Sequence, residues 1–155
     1  MNHQNFLGIF LSNNPIFPKL FCISLDLLYL CTLNTLLIYM NELVKTITEA
    51  IQEKKGSGIV VADLTKIGGT ISNYFIICEG NSPTQVEAIC ESVGDMCRER
   101  LKEKPMHVVG LENAQWVAMD YGDALVHIFL PDVRAYYDLE HLWEDAELTR
   151  IEDLD

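Results

Sequence analysis

Positive charge is scarce in this 155-residue chain: 11 lysines and arginines stand against 23 aspartates and glutamates, a net charge of −12. Only Lys19 and Asp26 fall within residues 1–39, so residues 40–155 hold 10 basic and 22 acidic side chains. That balance repels bare phosphate backbones, and we expect no direct nucleic-acid binding. It favours a basic protein partner, or none. The five cysteines, Cys22, Cys31, Cys78, Cys90 and Cys97, are odd in number and form no CxxC pair, which argues against a disulfide framework or a zinc site. Cys78 sits in an apolar strand and Cys90 and Cys97 are seven apart on one helix face; they read as small hydrophobes in a reducing compartment. No GxxxxGKS loop is present. Gly68 and Gly69 in KIGGT precede no helix, so an anion-binding turn there has little to build on. No metal or other cofactor is expected.

Residues 1–39 lack charge altogether apart from that one pair, and Leu20 to Met40, LFCISLDLLYLCTLNTLLIYM, is apolar enough to suggest a signal or membrane segment. Asp26 interrupts it, at about 2.5–3.5 kcal/mol for a charge near the centre of a spanning helix. A single Lys19 serves as basic region, and no small-residue cleavage site precedes Met40. Met40 itself opens MNELVKTITEAIQEKK, with Leu43, Ile47, Ala50 and Ile51 at helical spacing. We therefore read residues 1–39 as a spurious or disordered extension, ahead of a membrane anchor or a signal peptide. The domain is expected over residues 40–146, with residues 147–155 as an acidic tail.

What remains has a regular order. Lys54 to Gly58 break the first helix, and IVVADL, residues 59–64, follows as a strand apolar enough to be buried on both faces. Lys66 to Ser72 turn the chain into a second strand, NYFIICEG. Ser82, Pro83 and Gln85 supply an N-cap, a first helical residue and the third position of a capping box. Val86, Ile89, Cys90, Val93, Cys97 and Leu101 form that helix's apolar stripe; Arg98, Arg100, Lys102 and Lys104 complement its C-terminal dipole. Pro105 closes it, and MHVVG starts a third strand. A hairpin adds two more strands, Pro131 ends the last, and DLEHLWEDAEL returns to helix. The fold class is α/β or α+β: one mixed sheet of about five strands, helices over its core face.

The hairpin, WVAMDYGDALVHIF (residues 116–129), is the most informative stretch. If Gly122 and Asp123 form a two-residue loop of type II′, Tyr121 pairs with Ala124, Asp120 with Leu125, Ala118 with His127 and Trp116 with Phe129; a loop at Tyr121 and Gly122 slides the pairs but keeps the same face sets. Alternation then places Val117, Met119, Val126 and Ile128 on a core face, and Trp116, Ala118, Asp120, Leu125, His127 and Phe129 on the other. That second face mixes apolar bulk with an acid and an imidazole, as suits a surface covered only part of the time. Catalysis is poorly supported. Asp120 and Asp123 are too few for a magnesium site without a phosphate loop, and Asp123 reads more simply as a turn residue. No serine or cysteine is placed as a nucleophile for His107, His127 or His141.

Three separated stretches in this order, SNYFIICEGNSPTQVEAI (72–89), WVAMDYGDALVHIF (116–129) and RAYYDLEHLWEDA (134–146), resemble the ribosomal silencing factor family, also called RsfS or Iojap. The resemblance runs from about Met40 to Ala146. It implies a cytoplasmic protein with a nucleotidyltransferase-like fold and no such activity. Family members bind the large (50S) ribosomal subunit through its ribosomal protein fourteen, obstruct joining of the small subunit and repress translation under nutrient limitation or in stationary phase. Organellar relatives assist ribosome biogenesis, and members also form homodimers when free. Carried over by position, the family's partner-contact tryptophan matches Trp116. Its DYGD and VHIF elements match Asp120 to Asp123 and Val126 to Phe129, including His127. Its second-strand tyrosine matches Tyr74, and the pattern before its last helix matches Arg134, Tyr137, Asp138, Leu139 and Glu140. Two departures stand out: Asn73 where aspartate is common, and GLEN (110–113) in place of a Glu-Gly pair. The rival readings are a metal-dependent nucleotidyltransferase using Asp120 and Asp123, and a dimerisation module that buries the Trp116 face against a second copy.

Overall fold

A helix and a strand come first for the reasons their spacing gives. The computed structural model describes residues 42–154, so the readings made for residues 1–39, with Cys22 and Cys31, lie outside the described residues. Helix α1 (residues 42–53) buries Leu43, Ile47, Ala50 and Ile51, the four positions its helical period selects. Strand β1 (Ser57–Asp63) has Ile59, Val60, Val61 and Ala62 all buried, so both of its faces are covered, as an unbroken apolar run requires. Strand β2 (Tyr74–Glu79) pairs antiparallel with it.

Helix α2 (Pro83–Leu101) starts on the expected cap: Ser82 Oγ accepts the Gln85 N–H at 3.2 Å, with Pro83 in the first turn. Gln85 reaches back to the Asn81 N–H and donates its amide to the carbonyls of Lys54 and Lys55, tying this helix start to the end of α1. Ser92 Oγ donates to the Ala50 carbonyl and strengthens the same seam. Val86, Ile89, Cys90, Val93 and Cys97 are buried. Cys78, Cys90 and Cys97 are free, and burial pushes the Cys78 thiol up to about 12 and that of Cys90 up to about 11, so they behave as apolar filler.

Strands β3 (His107–Val109), β4 (Trp116–Asp120) and β5 (Ala124–Phe129) complete one side of the sheet. Its order is β3-β4-β5-β2-β1-β6, with β5 parallel to β2 and every other pairing antiparallel. The mixed sheet is as expected, with six strands. The sixth, β6 (Glu147–Arg150), pairs with β1 where an acidic tail was expected. Backbone pairing with β1 is the reason, continued by Ile151, which donates to the Ile59 carbonyl; the Asp153 carboxylate adds a side-chain bond by accepting the Gly58 N–H, so the segment closes an edge.

Two further corrections concern the face opposite α1 and α2. Helix α3 (Pro131–Tyr137) stands where only a strand end was expected, and the last helix shrinks to one turn, α4 (Leu139–Leu142). Neither lies over the α1 and α2 side. Tyr137 packs on Trp116, Arg134 bonds Glu79 and Trp143 meets Phe75 edge-on at 5.1 Å, all on the other side of the sheet. A second small core forms there, of Ala62, Leu64 and Phe75 with Leu125, Ile67, Trp143 and Ala146 around it.

Candidate protein-binding cleft

The hairpin register is that of the loop at Gly122 and Asp123, with Trp116 opposite Phe129, Ala118 opposite His127 and Asp120 opposite Leu125. Val117, Met119, Val126 and Ile128 are buried beneath α2. The turn itself is tighter than type II′. Asp123 N–H donates to the Tyr121 carbonyl, the bond of a γ-turn, and Gly122 at its centre holds φ +82°. Asp120 Oδ1 accepts the Gly122 N–H at 2.7 Å and so braces that turn.

Trp116 begins β4 at the mouth of a cleft of about 420 Å³. Gly110, Asn113 and Gln115 form one wall; Asp132, Val133, Tyr136 and Tyr137 of α3 form the other. The first wall depends on a glycine. Gly110 has φ +91°, and a Cβ there would lie 1.9 Å from the Trp116 carbonyl oxygen. The indole is set among aromatic rings. It stacks on Phe129 with centroids 5.0 Å apart, leans against Tyr137 at 4.9 Å and donates its N–H to His127 Nδ1 at 3.2 Å. Tyr137 meets Tyr136 edge to face, and these two are 47% and 81% exposed. Val109 and Leu111 add exposed apolar surface nearby in sequence to Gly110. An uncovered group of this size and kind fits a protein contact.

The structure divides the expected site residues into four groups. Trp116 and Tyr137 line the cleft. His127 and Phe129 lie behind it, 8% and 1% exposed, so Phe129 is not open to a partner and forms the floor on which Trp116 stacks. Burial lowers the His127 pKa to about 4, leaving a neutral ring that accepts a hydrogen bond. Arg134 and Glu140 bond one another, and Arg134 also reaches Glu79 at 3.4 Å. With only 14% of its side chain exposed, Arg134 is an internal fastener of α3 and α4. It fills the space beside Gly58, whose added Cβ would lie 2.6 Å from Nη1.

The remaining three stand apart. Tyr74 packs with the core on the α1 and α2 side of the sheet, opposite to Trp116. Asp123 accepts the Asn73 side-chain amide at 3.0 Å, and its carbonyl accepts the N–H groups of Asn73 and Tyr74. An aspartate at position 73 would set two carboxylates against each other there; Asn73 makes the contact favourable. Asp120 stays near the surface with His107 Nδ1 3.7 Å from Oδ2. Among the described residues no three His, Cys, Asp or Glu side chains are grouped to hold a metal ion. Sequence reading missed Tyr136 and the wall it belongs to. The available signal was Pro131 followed by Asp132, a proline in a first helical turn with an acid beside the dipole.

Comparison with known proteins agrees with the resemblance. The sequence model of the family described as "Ribosomal silencing factor during starvation" matches residues 38–155. The ribosomal silencing factor RsfS of Bacillus subtilis is 40% identical over 111 residues, 71% of this chain and 92% of that protein. Its counterpart in Halalkalibacterium halodurans is 39% identical over 111 residues, 72% of this chain and 93% of that protein. A crystal structure of a Chromobacterium violaceum protein, 36% identical, superposes with a TM-score of 0.63 over 66% of this chain and 84% of its own.

Proposed function

Because this chain belongs to the ribosomal silencing factor family, we propose that it binds the large ribosomal subunit through ribosomal protein fourteen and keeps the small subunit from joining. The action is steric and non-enzymatic, takes place in the cytoplasm and lowers translation under nutrient limitation or in stationary phase. The half-open aromatic cleft at Trp116 is the observation that carries this reading. Trp116, Tyr136 and Tyr137 present rigid ring surface at low entropic cost, the composition of an interface centre. Asp120 and Asp123 at the far end of the same hairpin, in a chain of net charge −12, favour a basic protein surface. No helix among the described residues is long and apolar enough to cross a membrane.

The test is sucrose-gradient sedimentation of ribosomal subunits with the purified chain, scoring both its presence in the large-subunit fractions and the loss of joined ribosomes. Trp116→Ala is expected to lower affinity for large subunits at least about tenfold, the effect of one interface anchor. Its far-ultraviolet circular dichroism should stay that of the wild type. Undiminished binding by a folded W116A variant would remove the cleft from the interface; a wild-type chain that binds but leaves subunit joining intact would remove the mechanism.

A further inference from the structure

We propose that His127 is the positioning residue of the cleft: its Nδ1 accepts the Trp116 indole N–H and fixes the orientation in which that ring meets a protein partner. The partner part of this inference rests on the function proposed above. Ala118, not Trp116, lies directly opposite His127 across the β4–β5 ladder, so the two rings meet on a diagonal of the same sheet face. That diagonal lets an imidazole two residues along β5 from Phe129 reach the indole N–H while Phe129 supports the ring plane.

The indole has few other ways to satisfy its donor. Phe129 and Tyr137 present ring surface to it, and His127 supplies the nitrogen acceptor at 3.2 Å. His127 is itself held. Phe75 meets it edge-on at 5.5 Å, and Phe129 lies nearly parallel at 6.1 Å. With Nδ1 as acceptor, the neutral ring carries its proton on Nε2. A side chain this enclosed offers a partner almost no surface, so its influence on recognition passes through Trp116. Tyr137 bounds the other side of the indole, which makes one rotamer of Trp116 the shape of the cleft mouth.

The experiment compares His127→Leu, which keeps the volume and removes the acceptor, with His127→Asn, whose Oδ1 stands close to the position of Nδ1. The Trp116 indole N–H is read by its ¹⁵N-resolved resonance and its solvent exchange, with Trp143→Phe used to assign the two indoles. Affinity for purified large ribosomal subunits is read by sedimentation of the full chain. H127L is expected to shift the Trp116 resonance, speed its exchange and weaken binding roughly tenfold, the value of one lost hydrogen bond. H127N should recover both signals. An unchanged Trp116 resonance in H127L overturns the positioning, as does wild-type affinity in a variant whose resonance has moved, or equal loss of affinity in H127L and H127N. If the wild-type chain does not sediment with large subunits, the proposed function fails, and the resonance of H127L alone still decides whether His127 orients the indole.

Discussion

Burial ties His127 to pH as well as to Trp116. The folded ring takes up its proton only near pH 4, against 6.5 for the ordinary side chain, because charging it inside the aromatic layer loses hydration. As pH falls below about 6.5, the unfolded chain gains a proton that the folded chain refuses, so folding stability drops through that window and levels off near pH 4. The gap corresponds to about 3 kcal/mol at most. Urea unfolding between about pH 7 and about pH 4.5 should therefore show a larger loss in the wild type than in H127N, because the carboxylates common to both cancel in the comparison. Equal losses in the two proteins would mean that the imidazole is not held neutral by the fold.

Arg134 does for two elements what His127 does for one ring. Its guanidinium joins α3 to β2 through Glu79 and to α4 through Glu140, with Gly58 leaving room for it. Removing it leaves two carboxylates facing each other in a partly closed space, at a cost of about 2–3 kcal/mol. Arg134→Ala should leave α1, α2 and the central strands protected from hydrogen exchange while residues 131–146 lose protection. Binding should fall with it, since Tyr136 and Tyr137 form one wall of the cleft. Uniform loss of protection across the chain would show that α3 and α4 are not a separable layer. This layer is also where sequence reading was weakest. The apolar run of β1, the Ser82 cap and the alternation of the hairpin are local signals, each strong enough to set an element and its buried face. Helix α3 has Leu130 in place of a capping side chain and buries none of its residues, so neither a cap nor a periodic stripe announced it. Strand β6 is exposed along its length and carries one acid and one base, and only its pairing with β1 makes it a strand. The place of Trp116 on the face that carries the cleft was legible because alternation put it on the mixed face. The burial of Phe129 was not, because it depends on the Trp116 ring stacked over it, a packing that alternation does not set.

At the scale of the whole molecule, charge discriminates between kinds of partner on a ribosome. A chain with 23 acidic and 11 basic residues approaches a particle made of polyanionic RNA and basic proteins. At physiological salt, charges separated by more than about 8 Å are largely screened, so the sign of the net interaction is set by what lies close to the contact. Docking on a basic protein gives local attraction, and salt weakens it. Docking mainly on RNA gives local repulsion, and salt relieves it. The proposed contact through a ribosomal protein therefore predicts that affinity for large subunits falls as monovalent salt rises from about 50 mM to about 500 mM, chiefly through slower association. W116A should act differently, speeding dissociation at every salt concentration, because the ring supplies packing and not charge. Affinity that rises with salt would place the acidic surface against RNA, and would assign the cleft to some other partner.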